Sequence, residues 1–137
     1  MVRTRSENIP REIIDSMGDL TEHFSRKEFA CQCNCGIDQV KQELVTKLEI
    51  TRLMYGKPMH ITSGLRCEKH NKKVGGVENS THLDGYAADI AVNGCFERDQ
   101  LVGFLRTHFN RMGIANDFIH VDVADGAGRP SPCLWVY

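Results

Sequence analysis

Residues 63–86 are rich in glycine, asparagine, serine and charge, and they separate two short apolar segments at 59–62 and 87–92. The stretch has neither the alternation of a strand nor the spacing of an amphipathic helix. It reads as one long loop between two strands, and a loop of that length inside a compact domain usually has a function. The core must then be closed by what flanks it. Upstream, Val40, Leu44, Val45 and Leu48 recur at helical spacing. They predict a core helix over 39–54, capped by Asp38 and stopped by Gly56 and Pro58. Before it, Phe24–Phe29 reads as a short turn with Ser25 at the cap and Glu28 three residues on. Downstream, residues 96–109 predict a helix that turns Leu101, Val102, Leu105 and Phe109 inward. Residues 118–123 predict a strand, and 134–137 a last one. Helices and strands do not alternate regularly, so the expected class is α+β: a single domain with a mainly antiparallel sheet and flanking helices. Residues 1–20 read as a loosely docked arm with a short amphipathic piece at 10–17, and residues 21–137 as the domain.

The chain's 137 residues suit one core. A net charge of −1 gives no general pull toward nucleic acid or anionic lipid. The apolar runs are too short to cross a bilayer. The N-terminus has basic residues with no apolar stretch behind them, so a secretory signal is not expected. The expectation is a monomer made in a cytoplasm, which another factor would have to release across a membrane.

Six cysteines stand at 31, 33, 35, 67, 95 and 133. Cys31-Gln32-Cys33-Asn34-Cys35 is the dense part. It reads as half of a structural metal site, with Cys67 as a further ligand, or as a source of disulfides. Its one-residue gaps are shorter than the usual zinc knuckle, and the compartment favours free thiols, which is the preferred reading.

Chemistry concentrates in two segments. In Ser80-Thr81-His82-Leu83-Asp84-Gly85-Tyr86-Ala87-Ala88-Asp89-Ile90, a histidine ends the polar loop and Gly85 permits a tight turn. Small residues then allow close packing, and an aspartate opens an apolar strand. In Asp117-Phe118-Ile119-His120-Val121-Asp122-Val123, a histidine lies on a strand among aliphatic neighbours. Two histidines and one aspartate suit an open zinc site, with a fourth position left for water. Taken singly, a loop histidine and a strand aspartate are more often hydrogen-bonding or capping residues.

Ser80-x-His82-x-x-Gly85-x-Ala87-x-Asp89 matches in full the S-x-H-x-x-G-x-A-x-D pattern of the M15 metallopeptidases. These are D-Ala-D-Ala carboxypeptidases and phage endolysins, related in fold to the hedgehog signalling domain. Asp117-x-x-His120 resembles the segment of the third ligand. Ile61-Thr62-Ser63-Gly64-Leu65-Arg66-Cys67 resembles a segment ending in a functional arginine. Residues 24–36 and 70–76 are similar to the short phage-type members, so the resemblance runs over roughly 20–123.

The resemblance implies a zinc ion on His82, Asp89 and His120. It implies that Arg66 binds a substrate carboxylate or steadies an oxyanion, a task that suits its planar, always charged fork. Ser80 would orient substrate or hold the loop through nearby backbone. The general base falls on Asp117. Strand alternation, however, puts Asp122 on the face of His120 and Asp117 on the other, unless the strand starts after a turn at Asn116-Asp117. Asp122 is the alternative base, or a support for a ligand imidazole. A histidine that some relatives use beside the oxyanion is replaced here by Ala115. Among the remaining histidines, His70 lies nearest the expected cleft.

The implied function is zinc-dependent hydrolysis of a peptide bond in the stem peptide of bacterial peptidoglycan, at D-Ala-D-Ala or L-Ala-D-Glu. The setting would be that of a phage or prophage lysin. The alternatives are a non-catalytic zinc domain and a structural or tail-associated phage protein.

Overall fold

The computed structural model describes residues 10–12 and 17–137. Much of the amphipathic piece expected at 10–17 falls outside the described residues. Among the described residues the elements run α1 (Arg26–Phe29), α2 (Gln42–Tyr55), β1 (Ile61–Ser63), α3 (Glu68–Lys73), β2 (Ala87–Ala91), α4 (Gly94–Arg106), β3 (Arg111–Ile114), β4 (Phe118–Asp122), a 3-10 turn (Ala124–Ala127) and β5 (Cys133–Val136). The strands form one sheet in the order β1-β2-β4-β3-β5. All pairs are antiparallel except β3 with β5. The fold is therefore α+β with a mostly antiparallel sheet, as expected. No helix among the described residues is long and apolar enough to cross a membrane.

Alternation along the strands divides the sheet into two faces. Ala88 and Ile90 of β2, Ile119 and Val121 of β4 and Met112 of β3 point into the core. They meet Leu44, Val45 and Leu48 of α2 and Leu101 and Leu105 of α4 there. The other face carries Asp89, His120, Asp122, Arg111 and Gly113.

Three expectations need correction. The core helix α2 begins at Gln42 with Lys41 as its cap, three residues later than predicted. Residues 38–41 are taken up against the Gly85 turn, where Lys41 N–H donates to Gly85 O at 3.0 Å. Gly85 itself has φ 78°, and a Cβ there would lie 2.5 Å from Gln39 O. The helix does stop at Gly56, which is left-handed and donates back to Arg52 O.

Residues 63–86 are not all loop, because Glu68–Lys73 forms α3. That helix is short and polar, so it shows no apolar periodicity. It is held by Asn71, a buried residue whose Nδ2 donates to Val77 O at 2.8 Å.

β3 was not expected at all. Its Arg111 and Gly113 are poor strand signals, and both serve the functional face.

Candidate metal centre and cleft

Strand register lays out the centre. Ser63, Asp89, His120, Gly113 and Trp135 are successive partners across β1, β2, β4, β3 and β5. Asp89 and His120 are thus cross-strand neighbours. Gly113 leaves an open place in the row, since a Cβ there would lie 2.3 Å from Trp135 Nε1. Through that gap the Trp135 ring comes within 5.2 Å of the His120 ring, centre to centre.

His82 reaches the same point from the loop. Its backbone carbonyl accepts from Arg66 N–H, and its own N–H donates to Ser80 Oγ at 3.2 Å.

The ring tautomers follow from the hydrogen-bond partners. His82 Nδ1–H donates to Gly64 O at 2.7 Å, which leaves Nε2 as a lone pair. His120 Nε2–H donates to Asp122 Oδ2 at 2.7 Å, which leaves Nδ1 as a lone pair. Both lone pairs face Asp89 Oδ1, at 3.1 Å from His82 Nε2 and 3.0 Å from His120 Nδ1. The two nitrogens are 3.2 Å apart. Three acceptors at this spacing, all buried, repel one another unless a proton or a cation lies between them.

Ligand atoms 2.0–2.2 Å from a tetrahedral zinc would stand about 3.3–3.6 Å apart. The observed triangle is only slightly tighter. The donor set, its burial and its spacing therefore fit a zinc ion with an open fourth position.

With no cation present, the proton is the alternative, and the charge balance shows how strongly the centre draws positive charge. Burial opposes ionisation of Asp89, but the facing His120 and His82 rings outweigh it and hold the carboxyl well below the usual range. Burial likewise opposes charge on His120, yet Asp122 and Asp89 raise its pKa.

A cleft of about 540 Å³ opens over the centre. Its wall includes Arg66, Arg111, Arg129, Ser80, Trp135 and Tyr137.

A family model described as Peptidase M15 matches residues 22–122, most of the chain. The chain belongs to the Peptidase M15 family. No curated protein matches it. M15 enzymes are zinc-dependent peptidases, and the matched segment contains His82, Asp89 and His120.

Within this M15 chain the other expected site residues divide into two groups. Arg66 lies on the cleft wall, with Nη2 3.4 Å from Asp89 Oδ2, Nε donating to Ser63 Oγ and Nη1 to Asn71 Oδ1. It therefore braces the candidate ligand Asp89 as well as facing the cleft. Ser80 also lines the cleft, and its hydroxyl holds the loop through His82 N–H.

Asp122 is 1% exposed and fully engaged. Its Oδ2 meets His120, while Oδ1 accepts from Arg111 Nε at 2.7 Å and Ala124 N–H at 3.1 Å. It supports the imidazole and does not border the cleft. Burial works against its ionisation, but His120 and Arg111 keep its pKa low.

Asp117 is not brought to the centre. It is exposed, lies in the β3–β4 turn and is absent from the cleft wall. β4 is regular from Phe118 onward, and Asp117 O still accepts from Val92 N–H, so the turn does not swing its side chain across. His70 is also absent from the wall.

Sequence reasoning missed Arg111, Trp135, Tyr137, Thr81 and Asn71. Arg111 is buried, donates to Asp122 and to Pro130 O, and sits 5.3 Å over the Trp135 ring. Thr81 Oγ1 lies 3.4 Å from both His120 Nε2 and Asp122 Oδ2. Tyr137 stands at the cleft mouth and is 68% exposed; partial desolvation of its ring in the cleft, with the charge of Asp89, raises its pKa. The one available signal was the single tryptophan of the chain, which stands in the last predicted strand.

Four thiols also gather, at Cys31, Cys33, Cys35 and Cys67, a group that shares no residue with the histidine centre.

Proposed function

We propose that this chain is a zinc-dependent peptidase that cuts a peptide bond in the stem peptide of bacterial peptidoglycan, at D-Ala-D-Ala or L-Ala-D-Glu. The observation that carries the reading is the buried triangle of His82 Nε2, Asp89 Oδ1 and His120 Nδ1 at the floor of an arginine-walled cleft. A zinc ion on those atoms would polarise a substrate carbonyl and lower the pKa of a water molecule toward about 7.

The chain's own residues supply the rest. Gly64 O and Asp122 fix the two imidazoles with their lone pairs inward, so ligand geometry is set before metal or substrate arrives. Arg66 and Arg129 offer fixed positive charge to the carboxylates that stem peptides carry. Tyr137 holds a phenolic proton on the cleft wall, suited to donating a hydrogen bond to the oxygen that gains charge. That would take over the task of the histidine that Ala115 replaces. Trp135 covers His120 and gives the substrate backbone an apolar wall.

The proposed setting is a phage or prophage lysin that meets the wall after another factor has opened the membrane. The test is digestion of defined muropeptides by the zinc-loaded chain, with the products identified by mass, alongside turbidity loss of permeabilised bacteria. Release of D-Ala alone assigns a carboxypeptidase, and an internal cut assigns an endopeptidase. Zinc-loaded protein that cleaves no muropeptide overturns the proposal.

One observation favours a second reading, a non-catalytic zinc domain. Among the described residues, the only carboxylate lining the cleft is Asp89, itself a ligand candidate. Under that reading the zinc-loaded chain would bind stem peptide and leave it intact.

A further inference from the structure

The loop after α1 runs Cys31-Gln32-Cys33-Asn34-Cys35-Gly36 and closes on itself. Cys31 N–H donates to Ile37 O at 2.9 Å, and Asn34 N–H to Cys31 O at 3.3 Å. Asn34 takes φ 63°, the left-handed region that few residues other than glycine enter readily. The chain therefore turns sharply between Cys33 and Cys35. This turn allows cysteines only one residue apart to face a common point, which an ordinary knuckle achieves with longer gaps.

Cys67 arrives from elsewhere in the fold, directly after Arg66. Its Sγ is 3.5 Å from Cys33 Sγ, and Cys33 Sγ is 3.4 Å from Cys31 Sγ. All four sulfurs lie within 4.8 Å of one another. Two of them also accept backbone hydrogen bonds, Cys31 from Cys67 N–H and Cys67 from His70 N–H. Bonds of this kind favour the thiolate over the thiol.

We infer that Cys31, Cys33, Cys35 and Cys67 form a second, structural zinc site, closed by four thiolates, that fastens the loop after α1 to the segment carrying Arg66. Four sulfurs 2.3 Å from a tetrahedral zinc would stand about 3.8 Å apart. The separations of 3.4 and 3.5 Å are near that edge. A disulfide would need about 2.05 Å and would join only two of the four. Cys33 is instead almost equidistant from two different partners. Binding is a proton exchange: each thiol loses its proton as its sulfur bonds the metal, so four thiols release up to four protons.

The place of the site gives it a purpose. Leu65 N–H donates to Phe29 O at 2.8 Å, and a Cβ on Gly64 would lie 2.6 Å from the Phe29 Cα. Residues 29–31 and 64–67 therefore run in close backbone contact. Gly64 supplies the carbonyl that orients His82, and Arg66 braces Asp89. A metal joining Cys31 to Cys67 would lock the platform on which those two supports stand. The tetrathiolate site shares no ligand with the histidine centre and does not depend on its being catalytic.

The test is metal analysis of the full chain, purified reduced in the presence of zinc, together with the spectrum of the cobalt-substituted protein. The expected result is two zinc ions per chain. The cobalt form should show thiolate-to-cobalt charge transfer in the near ultraviolet. The exposed pair Cys33→Ser with Cys35→Ser should lose that band and one ion. His82→Ala with His120→Ala should also lose one ion but keep the band. One ion in the native chain that is unaffected by the cysteine substitutions overturns the inference. So does a native cobalt spectrum without the thiolate band, a result that needs no variant to fold. A disulfide among the four, found by mass after alkylation without reductant, overturns it as well. Failure to cleave muropeptides touches none of these readouts.

Discussion

Replacing Asp122 by asparagine tests whether this carboxylate positions His120 or moves a proton. The carboxylate accepts from three directions at once: His120 Nε2 on Oδ2, and Arg111 Nε and Ala124 N–H on Oδ1. An amide can accept on one side only. If its NH2 faces His120, that ring must present a lone pair at Nε2 and carry its proton on Nδ1. The proton then points at His82 Nε2, 3.2 Å away, where the metal belongs. If its NH2 faces Arg111, donors oppose donors at 2.7 Å in a buried place.

The loss of this support should weaken zinc binding about 10–100-fold, as outer partners of metal histidines commonly do, or about 1.4–2.7 kcal/mol. The metal-free protein should also suffer, because Arg111 loses its counter-charge while 9% exposed. Removing one partner of a buried pair costs about 3–5 kcal/mol. Arg111 keeps Pro130 O and the Trp135 ring, which favours the lower end, or a Tm fall of about 10 °C. Competition with a chromophoric chelator measures the first effect and calorimetry of the metal-free chain the second. Peptide turnover at saturating zinc should recover to within a few-fold of native. Unchanged zinc affinity and Tm would refute the positioning argument. A loss of about a hundredfold or more in turnover at saturating zinc would instead make Asp122 the base.

Asp117→Ala, in the exposed turn, should leave zinc affinity and Tm unchanged within about 0.5 kcal/mol and turnover within a few-fold; a large fall in turnover at full zinc loading would restore it to the proton path. Gly113→Ala places a methyl against Trp135 and should cost about 1–3 kcal/mol in chemical denaturation, with a shift in tryptophan emission as the ring leaves His120. Burial raises the pKa of Glu49, but the His23 ring and backbone N–H outweigh it and hold it below the ordinary glutamate range. Its contribution is therefore full above its unfolded pKa and fades as pH falls through the lower folded value. Glu49→Gln should be about 1–2 kcal/mol less stable near neutral pH and converge with the native chain in acid, as followed by denaturant melts across pH. Chelation should lower the Tm in step with the zinc lost, since zinc at a hundred times its Kd contributes about 2.7 kcal/mol at a single site.

What could be read beforehand follows from where the information resides. The core helices α2 and α4 and strands β2 and β4 were legible because burial on one side imposes a period on residues such as Leu44, Leu48, Leu101, Ile119 and Val121. β3 was not legible because its composition answers to the functional face. Arg111 is there for Asp122, and Gly113 makes room for Trp135. α3 was hidden for a related reason, since Asn71 works through hydrogen bonds and leaves no hydrophobic pattern. His82, Asp89 and His120 stood out as chemical types, and cross-strand register places Asp89 beside His120. The roles of the two further aspartates depended on where β4 starts. One residue of strand decides whether Asp117 or Phe118 faces the cleft, and a turn sequence alone does not resolve a single residue.

β5 joins the sheet only along β3 and in parallel, and it lies wholly beyond the segment shared with the M15 family model. The candidate ligand atoms and one wall of the cleft thus come from different segments of the chain. Trp135 and Tyr137 form one jaw of the cleft, on a strand that carries none of the three candidate ligands. A library varied at Arg129 and Tyr137, which leaves the Pro130 and Trp135 supports of Arg111 in place, and screened on different stem peptides would alter what the cleft accepts while zinc affinity stays constant. Retuning this scaffold to another peptide can thereby begin at one sheet edge, away from the candidate ligands.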